Sequence, residues 1–277
     1  MHNQVTGFKQ LVEQSECQKA LGVFDGFSAL VAARAGARVL HASGGAISRS
    51  IGFMDIGLVT MTEMLGRIDE IVTASEAMVI ADADTGYGNE LNAERTAKEL
   101  SKCGVVALHI EDQTYPKRCG HMDGVSVIDV DEMCSKIKAV KDAVGDDLVV
   151  IARTDALGLE GMQATIDRMG QYLESGGDLA FVEGIQTEDE LTAVASGLKA
   201  KLLVNHARAS SGDVFSDHVL MENDVKVAIY PGDLQRAAIF AMDQVAREII
   251  SVGSSMKYQG AMFSYNDRDG MFENTPN

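Results

Sequence analysis

Val105-Val106-Ala107-Leu108-His109-Ile110-Glu111-Asp112-Gln113-Thr114-Tyr115-Pro116-Lys117-Arg118-Cys119-Gly120-His121 reads as an apolar strand, a carboxylate at the strand end, and a loop that turns at Pro116. The loop holds a cysteine among Lys117, Arg118 and His121, and a thiol set among cations is an activated acid, base or nucleophile. Gly120 and Gly124 give the loop freedom to move. A stray cysteine on a surface loop is the plainer alternative. The strand-end carboxylate and the basic cluster favour the chemical reading.

Outward from this stretch, the same unit repeats. Short apolar runs alternate with amphipathic helical runs eight times from residue 20 onward. The strands are expected at 20–24, 38–42, 78–81, 105–110, 148–152, 179–182, 202–204 and 225–230. Phe8, Leu11 and Val12 mark a lead-in helix within residues 1–19, and 234–250 forms the last long helix. A weak helical patch is expected near Val214, Phe215 and Val219. Thr60-x-x-Glu63 reads as a capping box, and Asp129-x-x-Glu132 and Thr187-x-x-Glu190 read as helix starts. Ser43 to Met61 reads as a long loop, and such loops inside compact domains are usually functional. Eight strand–helix units predict a (β/α)8 barrel, with a doubly wound open sheet as the alternative. With three prolines and no linker-like run, one catalytic domain is expected over 1–277, with 253–277 as a C-terminal tail.

A net charge of −17 argues against nucleic acid and anionic membranes as partners. No apolar run reaches the ~18 residues of a membrane span, and residues 1–19 lack the pattern of a signal peptide. Cys17, Cys103, Cys119 and Cys134 form no CxxC pair, so free thiols and a cytoplasmic location are expected, with zinc disfavoured.

A barrel of this kind keeps its chemistry at the C-terminal ends of its strands. The strand-end residues here are Ser43, Asp82, Asp84, Glu111, Arg153, Glu183, Asn205 and Pro231. Asp82 and Asp84 alternate along an extended backbone and would share one face. With Glu111 they make an oxygen-only site suited to Mg²⁺ or Mn²⁺; caps of an acidic helix start are the alternative. Lys117, Arg118, His121 and Arg153 bring positive charge to the same rim, which points to a small anionic carboxylate substrate. Ser43-Gly44-Gly45 offers a hydroxyl and close-approach amides for a carboxylate. Asp55, His206 and Arg208 are further candidates, while His41 and His109 are open to a reading as core histidines.

The segments Phe24-Asp25-Gly26, Ser43-Gly44, Asp82-Ala83-Asp84-Thr85-Gly86-Tyr87-Gly88-Asn89, His109 to Gln113, Lys117 to His121, Ala152 to Ala156 and Tyr230-Pro231 together resemble the isocitrate lyase and phosphoenolpyruvate mutase superfamily, most of all its 2-methylisocitrate lyase-like branch. The resemblance implies a (β/α)8 TIM barrel whose last helix is exchanged between subunits of a homotetramer. It implies Mg²⁺ on Asp82 and Asp84, with Glu111 nearby. It implies substrate contacts from Ser43, Gly44, Gly45, Gly120, His121, Glu183, Asn205 and Arg236, with Arg153 as a further anchor and Cys119 as the proton donor of a retro-aldol cleavage. The implied activity is that of a carbon–carbon lyase on a 2-hydroxy di- or tricarboxylate, giving a 2-oxo acid such as pyruvate and a carboxylic acid such as succinate. A 2-oxo acid hydrolase or decarboxylase, or a phosphonate mutase or hydrolase, is the alternative on the same scaffold. Arg236 and Arg268 resemble distal anchors for a tricarboxylate, and Phe24 stands where the lyases carry Tyr.

Overall fold

The computed structural model describes residues 2–120, 124–206 and 215–273. Eight parallel strands close into a barrel in sequence order: β1 Gln18–Val23, β2 Val39–Ala42, β3 Met78–Asp82, β4 Ala107–Glu111, β5 Val149–Thr154, β6 Leu179–Val182, β7 Leu202–Asn205 and β8 Val225–Tyr230. The ring is completed by β8 pairing with β1, Gln18 opposite Val227 and Leu21 opposite Tyr230. This is the (β/α)8 barrel expected from the alternation; the open sheet is excluded.

Side chains alternate between the two faces of each strand, and the two buried clusters follow that parity. Val39, Ile80, Ala107, Val149, Ile151, Leu179 and Phe181 point into the barrel, whereas Leu40, Ala81, Leu108, Val150 and Ala180 pack against the surrounding helices. The lead-in helix, His2–Glu13, places Val5, Phe8, Leu11 and Val12 in the inner cluster. It therefore plugs the end of the barrel opposite the strand C-termini. Polar residues at the inward parity are left for the other end.

The Thr60/Glu63 capping box forms as read, and Thr187 and Glu190 form another at the start of their helix. Asp129 stands at the start of the Val130–Val144 helix as expected, without a side-chain cap bond. The expected loop from Ser43 to Met61 contains a short helix, Gly44–Ser50, capped by Ser43. The weak patch resolves as a helix over Asp217–Glu222; Val214 lies outside the described residues. The long helix spans Asp233–Val252, and of its residues only Gln235 is buried. Ile239, Phe240, Met242, Ile249, Ile250 and Val252 are exposed along it. The tail carries a short 3₁₀ helix, Met256–Ala261, and a helix over Tyr265–Gly270. It returns to the outside of the Gly26–Arg34 helix, where Arg34 donates to the carbonyls of Gly270 and Met271 and Phe27 stacks on Phe272.

Candidate active site

Inward parity at the strand C-termini converges His41, Asp82, His109, Glu111, Arg153 and Phe181 on one end of the barrel, and the residues just beyond the strands complete a cleft of about 510 Å³. Ser43, Gly45, Asp82, Cys119, Gly120, Arg153, Glu183, Asn205 and Arg236 line it. Gly44, Asp84 and Glu111 are buried behind the lining. His121 and Arg208 lie outside the described residues.

Asp82 and Asp84 meet by a different route from the one expected. β3 ends at Asp82, and Asp84 sits at a left-handed φ of 46°, its N–H donating to Asp82 Oδ1. They converge all the same. A Cβ on Gly44 would lie 2.6 Å from Asp82 Oδ2 and 3.4 Å from Asp84 Oδ1. Gly44 is therefore needed here for close approach, and its N–H already donates to Asp82 Oδ2. Of the expected carboxylate cradle, that leaves the Ser43 hydroxyl and Gly45 facing the cleft.

Lys117 was read as a cation of the rim; it is instead buried among the acids. Its Nζ lies 2.5 Å from Asp55 Oδ1 and 2.7 Å from Asp84 Oδ1. Burial alone would lower its pKa, but Asp84, Glu111, Asp82 and Asp55 outweigh it and hold the ammonium protonated. Arg153 is likewise engaged: its Nε and Nη2 form a fork on Asp155, and its Nη1 is 3.1 Å from Glu111 Oε2. Its guanidinium also stacks 5.1 Å from the centre of the Phe181 ring. Arg118, the other described cation beside Cys119, is exposed.

The acids nevertheless exceed the cations. Among the described residues, Asp55, Asp82, Asp84, Glu111, Asp155 and Glu183 are buried and two buried cations, Lys117 and Arg153, pair with members of the set. Burial raises Asp84 to about 6, with Asp82 and Asp55 adding to the rise and Lys117 opposing it. Burial pushes Glu111 well above the usual carboxylate range, which Arg153 only partly offsets. Asp84 Oδ1 and both oxygens of Glu111 are enclosed without a well-directed hydrogen bond. Buried carboxylates in that condition are costly unless a further positive charge joins them. Oxygen donors fit Mg²⁺ or Mn²⁺. A second donor set shares Asp82: one ring nitrogen each from His41 and His109 and a carboxylate oxygen lie within 4.8 Å of one another. The two rings already hydrogen-bond through Nε2 at 2.9 Å. Burial lowers their pKa values to about 3 and about 4, so both are neutral at pH 7.

The Cys119 loop is seated on this cluster. Cys119 N donates to Asp55 O, and a Cβ on Gly120 would come 2.8 Å from Asp155 Oδ1 and 2.9 Å from Glu183 Cγ. Gln113 grips the loop, accepting from Arg118 N and donating to Arg118 O at 2.9 Å each. At the outer end, Asn205 donates to both oxygens of Glu183 at 3.3 Å. His206 is buried and bonded to Phe215 O, which makes it a core histidine. Arg268 stacks on Tyr265 and pairs with Asp269 away from the cleft. Phe24 packs against the outer core cluster. Arg49, Gln235 and Phe181 line the cleft without having been singled out in the sequence. Arg49 lay in what looked like a loop, and only Phe181, at inward parity two residues before Glu183, carried a usable signal.

A family model described as phosphoenolpyruvate phosphomutase matches residues 8–250. A 2-methylisocitrate lyase of Halalkalibacterium halodurans is 37% identical over 247 residues, 89% of this chain and 82% of its own. The crystal structure of a 2,3-dimethylmalate lyase, described as a PEP mutase/isocitrate lyase superfamily member, superposes with a TM-score of 0.91 at 30% identity, covering 99% of this chain and 92% of that one. A phosphonopyruvate hydrolase in complex with oxalate and Mg²⁺ superposes with a TM-score of 0.87 at 25% identity, covering 97% and 94%.

Proposed function

The chain belongs to the phosphoenolpyruvate mutase and isocitrate lyase superfamily, and from that premise we propose that its cleft cleaves a carbon–carbon bond in a 2-hydroxy di- or tricarboxylate resembling 2-methylisocitrate. The observation that carries the reading is the meeting, at one barrel mouth, of an acid cluster short of positive charge and a thiol on a seated loop. Asp82, Asp84 and Glu111 would hold Mg²⁺, with Mn²⁺ as the alternative. Bound there, the ion would supply Lewis acidity toward the 2-oxo acid as it forms.

The chain's own residues do the rest. Ser43 and Gly45 meet the substrate's 2-hydroxy carboxylate. Arg153, oriented by Asp155 and Glu111, places positive charge beside it. Glu183 and Asn205, hydrogen-bonded to each other, form the wall beneath Gly120. The 2-hydroxyl gives its proton to a carboxylate of the buried acid cluster and becomes the 2-oxo group as the carbon–carbon bond breaks, and Cys119 delivers its proton to the carbanion of the departing fragment, which leaves as a carboxylic acid. Seating of the loop keeps bulk water from competing for that proton. His121 is assigned to substrate contact by resemblance alone.

The proposal extends to the assembly: one barrel domain over 1–277, in a cytoplasmic homotetramer that exchanges the Asp233–Val252 helix. The apolar face that this helix leaves uncovered supports the exchange. A second reading, a hydrolase or decarboxylase of 2-oxo acids or a phosphonate mutase or hydrolase, is favoured by the fold likeness to phosphonopyruvate hydrolase. The Cys119 loop favours the lyase over the mutases.

The test is a panel of 2-methylisocitrate, isocitrate, 2,3-dimethylmalate, oxaloacetate and phosphonopyruvate, with 2-oxo acid products detected directly. Cleavage of one of the first three is expected. Turnover of oxaloacetate or phosphonopyruvate alone would install the second reading.

A further inference from the structure

Glu111 closes β4 and Asp112 follows it, and the two side chains face opposite ways. Glu111 turns into the barrel, where its Oε2 lies 3.1 Å from Arg153 Nη1. Asp112 is fully buried behind the cleft, and both its oxygens accept hydrogen bonds. The Thr154 and Tyr172 hydroxyls donate to Oδ2 at 2.6 and 2.9 Å. The backbone N–H of Asp155 donates to Oδ1 at 3.0 Å. Asp155 is the residue whose carboxylate takes the fork of Arg153 Nε and Nη2. Two adjacent residues thus hold one guanidinium, Glu111 directly and Asp112 through Asp155.

Asp112 is itself braced from the Met162–Glu174 helix. Arg168 Nη1 donates to the Tyr172 hydroxyl at 2.8 Å and to Ile128 O at 2.9 Å, while its Nε and Nη2 pair with Glu160. Ile128 N in turn donates to Asp112 O at 2.8 Å. A buried polar network whose members are satisfied in this way is rigid.

We propose that Asp112 is a positioning residue: by holding the Asp155 N–H it aims the Asp155 carboxylate, and through it the Arg153 guanidinium that lines the cleft. That Arg153 anchors substrate rests on the lyase reading above; that Asp112 orients Arg153 does not. Misplacing a substrate-positioning group by about 1 Å can cost a hundredfold in rate.

Two measurements test it. The first needs no substrate: solvent exchange of the Arg153 Nε–H, followed by NMR in protein labelled with ¹⁵N-arginine, the signal assigned by its loss in Arg153→Lys. Asp112→Ala is expected to speed this exchange roughly fivefold or more, the worth of one hydrogen bond. The second is a double-mutant cycle in kcat/KM on the substrate that the panel identifies. Asp112→Ala alone should lower kcat/KM about ten- to hundredfold. In an Asp155→Ala background it should change it by no more than about twofold, because the group it aims is already gone. A merely structural role would cost the same factor in both backgrounds. Equal factors, no loss in the single variant, or unchanged exchange at Arg153 would each overturn the assignment. Should Asp112→Ala not fold, Asp112→Asn, which keeps one acceptor oxygen, enters both measurements under the same outcomes. A parent chain that turns over none of the panel would bring down the lyase reading, and exchange at Arg153 would then decide the positioning role by itself.

Discussion

Lys117 Nζ stands 2.7 Å from Asp84 Oδ1 and 2.5 Å from Asp55 Oδ1, so a residue of the Cys119 loop supplies the charge that two buried acids need. Removing it as Lys117→Met leaves both carboxylates enclosed without their cation. We expect a loss of roughly 3–5 kcal/mol in denaturant unfolding with EDTA present. Mg²⁺ should recover more stability in the variant than in the parent. Equal destabilisation with and without Mg²⁺ would show that the ammonium and the metal do not share the acid cluster.

The metal itself should act on the fold as well as on the chemistry. Any ion that binds only the native chain adds about 2.7 kcal/mol at one hundred times its dissociation constant. Mg²⁺ should therefore raise the unfolding midpoint, and EDTA should abolish turnover until Mg²⁺ is returned. Indifference of both readouts to EDTA would count against Asp82, Asp84 and Glu111 as its holders.

Cys119→Ser keeps the shape of the loop and removes the thiol. Turnover should fall about 10²- to 10⁴-fold, the usual worth of a positioned proton donor, while calorimetry finds substrate still bound. Full activity in this variant would remove the thiol from the mechanism.

Phe8 is fully buried in the inner cluster, at the barrel end far from the cleft. Phe8→Ala should cost about 3–5 kcal/mol of stability by leaving a cavity there, with the Michaelis constant of the folded enzyme unchanged. A shift in that constant without loss of stability would contradict the plug.

The strands were legible because each buries both faces: Leu108 and Ile110 against helices, Ala107 and His109 inward, which leaves a run of hydrophobic residues with few interruptions. The Gly44–Ser50 helix was not, since two glycines and two serines are weak helix formers and tertiary contacts decide the matter. Lys117 was misread for a related reason. Lysine is an exposed residue by default, and only the fold brings Asp55, 62 residues away in the chain, to its ammonium. The acids were found by position at strand ends, but the left-handed turn at Asp84 that aims one of them is invisible in a pattern of alternation.

The Asp233–Val252 helix has a consequence for handling the protein. It is anchored near its start through Gln235 and carries Ile239, Phe240, Met242 and Ile250 uncovered beyond. When copies cover that stripe for one another, part of the folding free energy is supplied by association. The apparent melting temperature then climbs as the solution is made more concentrated and falls on dilution.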